Sequence, residues 1–180
     1  MKRLVTQSFV LFLLLIVSSC AARSSSSSSS FRQEYDKRLE RLDNEREKMK
    51  RQTDPVGRTK AEIRISEILL TLVSHAVKTG DLELMEQRLE EYVTAIQDAH
   101  QTMKQTGRDA HRKPGGFKDL EIALRRQVRQ LEDIGRGLTF DQREPLNKAK
   151  EQAADIRDEM LKALFGEQNA PSRNGRKMGS

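Results

Sequence analysis

Residues 61–103 read AEIRISEILLTLVSHAVKTGDLELMEQRLEEYVTAIQDAHQTM, and this stretch decides the fold. Both of its halves repeat apolar residues every three or four positions, which is the spacing of one buried helix face. Between the halves, Gly80 suits the left-handed position that ends a helix, and Asp81 suits the N-cap of the next helix. Because so short a turn makes the two helices antiparallel neighbours, the stretch predicts a helical hairpin over residues 55–106.

A second hairpin is predicted over residues 117–165, where the same apolar spacing recurs on both sides of Gly135 and Gly137. Thr139 and Gln142 have the spacing of a capping box, in which each satisfies a free backbone N–H at a helix start. Each hairpin carries an apolar stripe only about one heptad seam wide. We therefore expect the two hairpins to pack together as an all-α four-helix bundle, with an open helical array or a dimer as the alternative.

A charged helix is predicted ahead of the bundle, over residues 31–53. Its large apolar side chains form a narrow heptad stripe of Tyr35, Leu39, Leu42 and Met49. The stripe predicts a helix that either packs loosely on the bundle or makes a coiled-coil contact, which would give a homo-oligomer through residues 31–52. A solvated stalk helix is the alternative.

The first twenty residues predict export. Residues 9–17 (FVLFLLLIV) form an unbroken apolar run, which is preceded by a basic start and is shorter than the ~20 apolar residues of a membrane-spanning helix. Small residues follow at once, as in a secretory signal peptide. The run leads directly into Val17-Ser18-Ser19-Cys20, and Cys20 is the only cysteine of the chain.

Val17-Ser18-Ser19-Cys20 resembles the lipobox of bacterial lipoproteins, which is an aliphatic residue, two small residues and a cysteine. The resemblance implies acylation of Cys20 and cleavage between Ser19 and Cys20, with the lipid membrane as partner of the acylated cysteine. An ordinary signal peptide or an uncleaved anchor is the alternative. The expected parts are a lipoprotein signal peptide (1–19), a lipidated cysteine with a serine-rich flexible tether (20–30), the stalk helix (31–53), the bundle (54–165) and a disordered tail (166–180).

The residues after Cys20 bear on the destination. Ala21-Ala22 contains no aspartate of the kind that, in enteric lipoproteins, retains the protein at the inner membrane. By this resemblance we expect anchoring to the outer membrane, with the domain in the periplasm or at the cell surface. Several acyl chains, each contributing ~0.8 kcal/mol per buried CH₂, would hold the protein on the membrane almost permanently.

The charge of the chain narrows its partners. The formal net charge is +6, and removal of Lys2 and Arg3 leaves 31 basic against 27 acidic residues, about +4. Nucleic acid is not expected, because the chain is exported and its aromatic residues, 4% of the total, are too scattered for a stacking platform. The excess charge concentrates in a connector over residues 104–118. We expect the basic residues of this connector either to contact an anionic cell-wall or lipid surface or simply to be solvated. They are Lys104, Arg108, Arg112, Lys113 and Lys118.

No catalytic chemistry is predicted. The three histidines are scattered, no Glu-x-x-His pair occurs, and phosphate-binding loops and nucleophile elbows are absent from the sequence. We therefore expect no enzyme, no metal, no cofactor and no small-molecule substrate. The expected function is a structural or interaction domain that binds another envelope protein through a helix face.

Residues 138–142 carry a second, shorter resemblance. Leu138-Thr139-Phe140-Asp141-Gln142 is similar to the LTxxQ motif of the Spy/CpxP family of small helical periplasmic proteins, with Leu138, Thr139 and Gln142 at the motif positions. The resemblance implies a sensor of envelope stress, or a chaperone that holds unfolded clients on a basic concave surface. This is an alternative function.

Overall fold

The computed structural model describes residues 26–166, and every regular element in this range is helical, which confirms the all-α class. The elements are α1 (Ser26–Lys50), α2 (Pro55–Thr79), α3 (Leu82–Gln105), α4 (Phe117–Gly135), a 3₁₀ turn (Asp141–Arg143) and α5 (Glu144–Phe165). The chain divides into two units, residues 1–37 and 38–180. The first unit contributes residues 26–37 of α1. The signal peptide, Cys20 and nearly all of the predicted tail lie outside the described residues.

The turn between α2 and α3 forms as predicted. Gly80 has a φ of 75°, in the left-handed region, and its N–H donates to the carbonyl of Val77 across 3.2 Å. Asp81 caps α3, because its Oδ1 accepts from the N–H of Leu84 at 3.0 Å. The turn therefore makes α2 and α3 an antiparallel hairpin.

The two hairpins pack side by side, with α2 next to α4. Lys60 lies 3.6 Å from Asp119, and seven residues further along both helices Glu67 pairs with Arg126. Residue numbers increase together across this interface, so α2 and α4 are parallel.

Helix α3 lies next to α5 in the same way. Gln97 donates to Gln152 across 2.9 Å, and His100 lies 3.1 Å from Glu159. Since α2 adjoins α4 and α3 adjoins α5, α3 and α4 stand diagonally across the bundle. Residues 106–116 must therefore cross one end of the bundle to join them.

The core of the second unit is mainly aliphatic. Leu, Ile, Val, Ala and Met side chains of α2 to α5 fill it, and among the described aromatic residues only Tyr92 and Phe117 are buried. The alanine-rich stripe of α5 is buried at Ala149, Ala153 and Ala154, which allows neighbouring helices to approach closely. Burial of each large aliphatic side chain contributes about 1.5–3 kcal/mol, so the closed four-helix core is the main source of stability.

From Arg38 onward, α1 packs on the α2–α3 hairpin. Leu42 is 1% exposed, Arg46 pairs with Glu91 at 2.7 Å, and Glu45 pairs with Arg64 of α2 at 2.7 Å. The predicted stripe is thus used within the chain at Leu42. Homo-oligomerisation through residues 31–52 remains a prediction.

Two predicted helix starts were wrong. Helix α1 begins at Ser26 and not at residue 31, so five serines assigned to the flexible tether are helical. Serine is only slightly less favourable than charged residues in a helix, and adding residues to an existing helix avoids the cost of nucleation. The rest of the tether, residues 20–25, lies outside the described residues.

The start of α5 also differs. Oε1 of Gln142 accepts from the N–H of Thr139 at 3.1 Å, which is half of the predicted capping box. A 3₁₀ turn follows, however, and α5 begins only at Glu144. Pro145 has no N–H to continue the α-helical ladder backwards, so the preceding residues close a tighter turn, in which the N–H of Arg143 donates to the carbonyl of Phe140 at 3.2 Å.

Candidate functional site

The predicted basic connector lies at one end of the bundle, and its backbone is held in place. Oδ1 of Asp109 accepts from the N–H groups of His111 and Arg112, at 2.9 and 3.3 Å. The ring of His111 lies 3.2 Å from the carbonyl of Leu164 at the end of α5, and Ala110 is buried. Asp109 therefore fixes a turn within the connector, and Ala110 and His111 tie that turn to the bundle.

Gly116 holds the other end of the connector against α3. Its φ is 86°, and a Cβ at this position would lie 2.5 Å from Sδ of Met103. The positive φ requires glycine, and any larger residue would also displace the end of the Met103 side chain. The path of the connector is thus set by its contacts with the core.

Two of the five predicted basic residues already have acidic neighbours. Nζ of Lys104 lies 3.5 Å from Glu159, and Nε of Arg112 lies 3.5 Å from Asp109. Arg108, Lys113 and Lys118 are exposed and have no ion pair within residues 26–166. The fold therefore brings all five to one end of the bundle and leaves three of them available to an anionic partner.

The LTxxQ-like residues lie at the other end, between α4 and α5. Leu138 is buried, and Gln142 accepts from the backbone of Thr139 as described above. Phe140, between them, is 90% exposed. Leu138, Thr139 and Gln142 therefore stabilise a tight turn, and this turn places the ring of Phe140 at the surface.

A cleft with a volume of about 390 Å³, which was not predicted, lies between α1, α2 and α3. Helix α1 forms one wall with Arg46 and Met49. The remaining lining residues on α2 and α3 are Glu62, Ile65, Leu69, Gln87, Glu90, Glu91, Thr94, Ala95 and Asp98. An aliphatic strip and four carboxylates therefore share one cavity.

Glu62 is the most unusual of these residues, because it is a carboxylate that is only 1% exposed. Its Oε1 accepts from Nε of Arg58 at 3.0 Å and from the hydroxyl of Thr102 at 3.5 Å, whereas Oε2 has no hydrogen-bond partner within the described residues. Burial raises the pKa of Glu62, Arg58 opposes that rise, and the charge of Asp98 adds to it.

The burial of Glu62 could have been inferred from its spacing, because Glu62 lies seven residues before the buried Leu69 on the same helix. Glu62, Leu69 and Ala76 share one position of the α2 heptad, and all three are buried. The burial of Glu62 was not predicted because acidic residues normally lie on a solvated helix face.

The described part of the chain offers few other functional groups. None of its helices has the length and apolarity that crossing a bilayer demands, and no group of three or more potential metal ligands comes together in it. Cys20 and Ser19, the predicted lipidation and cleavage residues, precede it.

Comparison with known proteins adds no family. No family model matches the chain, and neither curated proteins nor solved structures yielded a match.

Proposed function

We propose that this protein is a lipid-anchored bacterial envelope protein whose helical bundle is a non-catalytic interaction domain. The observation that carries the proposal is Val17-Ser18-Ser19-Cys20, placed directly after the apolar run and containing the only cysteine. The outer membrane is the favoured site of anchoring, since Ala21 and Ala22, and not an aspartate, come directly after Cys20. A bundle that closes its own core supports the proposal, because its helix surfaces are then free to bind another envelope protein.

Expression of the full chain in a bacterium tests the anchor. Mass spectrometry of the mature N-terminus should find a diacylglyceryl-modified Cys20 in wild type and no acyl group in Cys20→Ala. Ser18→Ala is the matched control, because it keeps a small residue at that position and should be lipidated normally. An unmodified Cys20, or a mature N-terminus at another residue, would refute lipid anchoring.

Binding to an anionic surface through the basic connector is the second candidate function. It is favoured by Arg108, Lys113 and Lys118, which have no ion pair within residues 26–166 and lie on a loop that the bundle holds in place. Arg38, at the start of the second unit, donates to the carbonyl of Thr71 in the second half of α2. The connector lies beside the start of α2, and Thr71 is 16 residues further along that helix, so roughly 24 Å separates the connector from this contact of α1.

Sedimentation of the unlipidated chain (Cys20→Ala) with purified cell wall, and separately with anionic vesicles, tests this candidate. Charge-neutral glutamine at Arg108, Lys113 and Lys118 should abolish co-sedimentation at low salt. Glutamine at Lys78, Arg129 and Arg136 removes the same charge elsewhere and is the control. Equal losses in the two triple variants would show that net charge, and not the connector, is responsible.

The chaperone function implied by the Spy/CpxP resemblance stays an alternative. It predicts that the unlipidated chain suppresses aggregation of an unfolded client, more strongly at low than at high salt, because the contact is partly electrostatic. Absence of suppression at every salt concentration would exclude it.

A further inference from the structure

Glu62 and Glu121 are both buried, but they differ in how many of their carboxylate oxygens accept hydrogen bonds. Each pairs with an arginine four residues later or earlier on its own helix, Glu62 with Arg58 and Glu121 with Arg125. Arg125 donates to both oxygens of Glu121, at 2.7 Å each. Arg58 reaches only Oε1 of Glu62, and Oε2 has no hydrogen-bond partner within residues 26–166. A buried carboxylate oxygen without a partner is costly, so Glu62 is a site where a further donor would be favourable.

The surroundings of Glu62 define what that donor is. Glu62 lies in the wall of the cleft, and two further carboxylates of the cleft, Glu90 and Asp98, have no ion pair in the described part of the chain. These charges favour a cation. Met49 and Ile65 line the same cleft and favour an aliphatic group. Its volume of about 390 Å³ is at the lower end of the range, roughly 300–1,000 Å³, typical of small-ligand sites.

We propose that the cleft between α1, α2 and α3 binds a primary alkylammonium group, whose ammonium pairs with the carboxylates of Glu62 and Asp98 and whose aliphatic stem lies along Met49 and Ile65. An ammonium carries three donors, which suits an unpartnered carboxylate oxygen with further carboxylates in the same cleft. A lysine side chain of a partner protein is the expected source, and this part rests on the proposed interaction function. A free diamine offers the same chemistry.

Occupation of the cleft also concerns α1. Arg46 and Met49 supply its outer wall, and Arg46 is held there by Glu91. A bound stem adds apolar contacts between this wall and the α2–α3 hairpin. Ligand binding should therefore slow amide hydrogen exchange in residues 38–50.

The test is an NMR titration of the full chain carrying Cys20→Ala with two probes, a lysine with blocked termini and 1,5-diaminopentane. Saturable shifts of the α2 and α3 amides beside the cleft are expected, whereas blocked norleucine, which has the stem without the charge, should produce none. Glu62→Gln should weaken binding at least about tenfold, as expected for loss of a charged hydrogen bond. Glu121→Gln is the matched control and should bind as wild type does.

Each outcome is decisive. Saturation by blocked lysine supports a protein side chain as the source, and saturation by the diamine alone supports a free amine. No saturable shift up to ~100 mM with either probe, equal binding of norleucine, or equal weakening by the two glutamine variants would overturn the proposal. Asp98→Asn, an exposed substitution, gives a second reading and should also weaken binding. Because the protein tested has no lipid anchor, failure here leaves the anchoring proposal unaffected, and the reverse also holds.

Discussion

The hydroxyl of Tyr92 donates a hydrogen bond to Oε1 of Gln127 across 3.2 Å, in the interior of the bundle. Nε2 of Gln127 donates in turn to the hydroxyl of Ser66 at 2.8 Å, and Ser66 donates to the carbonyl of Ile63. All three side chains are buried. One polar chain thus connects α3, α4 and α2, and it joins the first hairpin to the second.

Tyr92→Phe should destabilise the bundle by about 1–2 kcal/mol, because the buried Oε1 of Gln127 loses its donor while the volume of the ring is kept. Urea denaturation of wild type and variant measures the difference. The triple variant Tyr92→Phe, Gln127→Leu and Ser66→Ala removes every polar group of the chain and should recover part of the loss. A single variant as stable as wild type would show that the bond contributes nothing.

Leu42→Ala should release the part of α1 that packs on the bundle. Leu42 is the fully buried apolar side chain of this segment, and truncation of such a leucine costs about 2–5 kcal/mol. Hydrogen exchange should then show fast exchange over residues 38–50 and unchanged protection in α2 to α5. Leu39→Ala, at a half-buried position of the same stripe, is the control and should have a smaller effect. Uniform loss of protection in all five helices would contradict a separable α1.

Glu62→Gln should stabilise the protein at pH 7 by about 1 kcal/mol, because an amide is less costly to bury than a half-satisfied carboxylate. The pKa of Glu62 is raised by burial, so its stabilising contribution is complete below the ordinary value of 4.5 and is lost as the pH rises through the raised value. The advantage of the variant should therefore shrink as the pH falls towards 4.5. Thermal unfolding at a series of pH values tests the slope, and an advantage that grows towards low pH would contradict the sign.

His100 should make stability fall on acidification. Burial lowers the pKa of His100 below its ordinary value of 6.5, although Glu159, 3.1 Å away, partly opposes that shift. The folded state therefore favours the neutral ring. The contribution is complete above pH 6.5 and is lost as the pH falls through the lowered pKa. His100→Gln should flatten the unfolding free energy over this interval, and an unchanged slope would assign the pH dependence to other groups.

The helices and the first turn could be predicted from the sequence because they depend on local information. Apolar spacing sets the faces, and the pair Gly80 and Asp81 ends one helix and starts the next within two residues. The order of the helices around the bundle could not be predicted. The sequence of residues 107–116 does not indicate beside which helix α4 will pack. The connector's contacts with the bundle, the burial of Ala110 and the fit of Gly116 against Met103, become visible only in the structure.

The candidate cleft was beyond sequence reasoning for a related cause. Burial of Glu62 depends on α1 and α3 covering that position of α2, and pairing with Arg58 occurs as readily on a solvated helix. The positive charge of the basic connector could be predicted by counting its lysines and arginines. Which cations have acidic neighbours could not be predicted, since Glu159, beside Lys104, is 55 residues away in the sequence.

The crossing connector has a consequence for how the chain folds. Each hairpin is continuous in sequence, so most helix contacts within it are local and can form quickly and independently. Residues 106–116 are the covalent link between the two hairpins, and one docking step is needed to bring Tyr92 to Gln127. Proteolytic nicking within the connector should therefore leave two fragments that remain associated. Separate synthesis of the same two halves should give a complex that assembles from its parts.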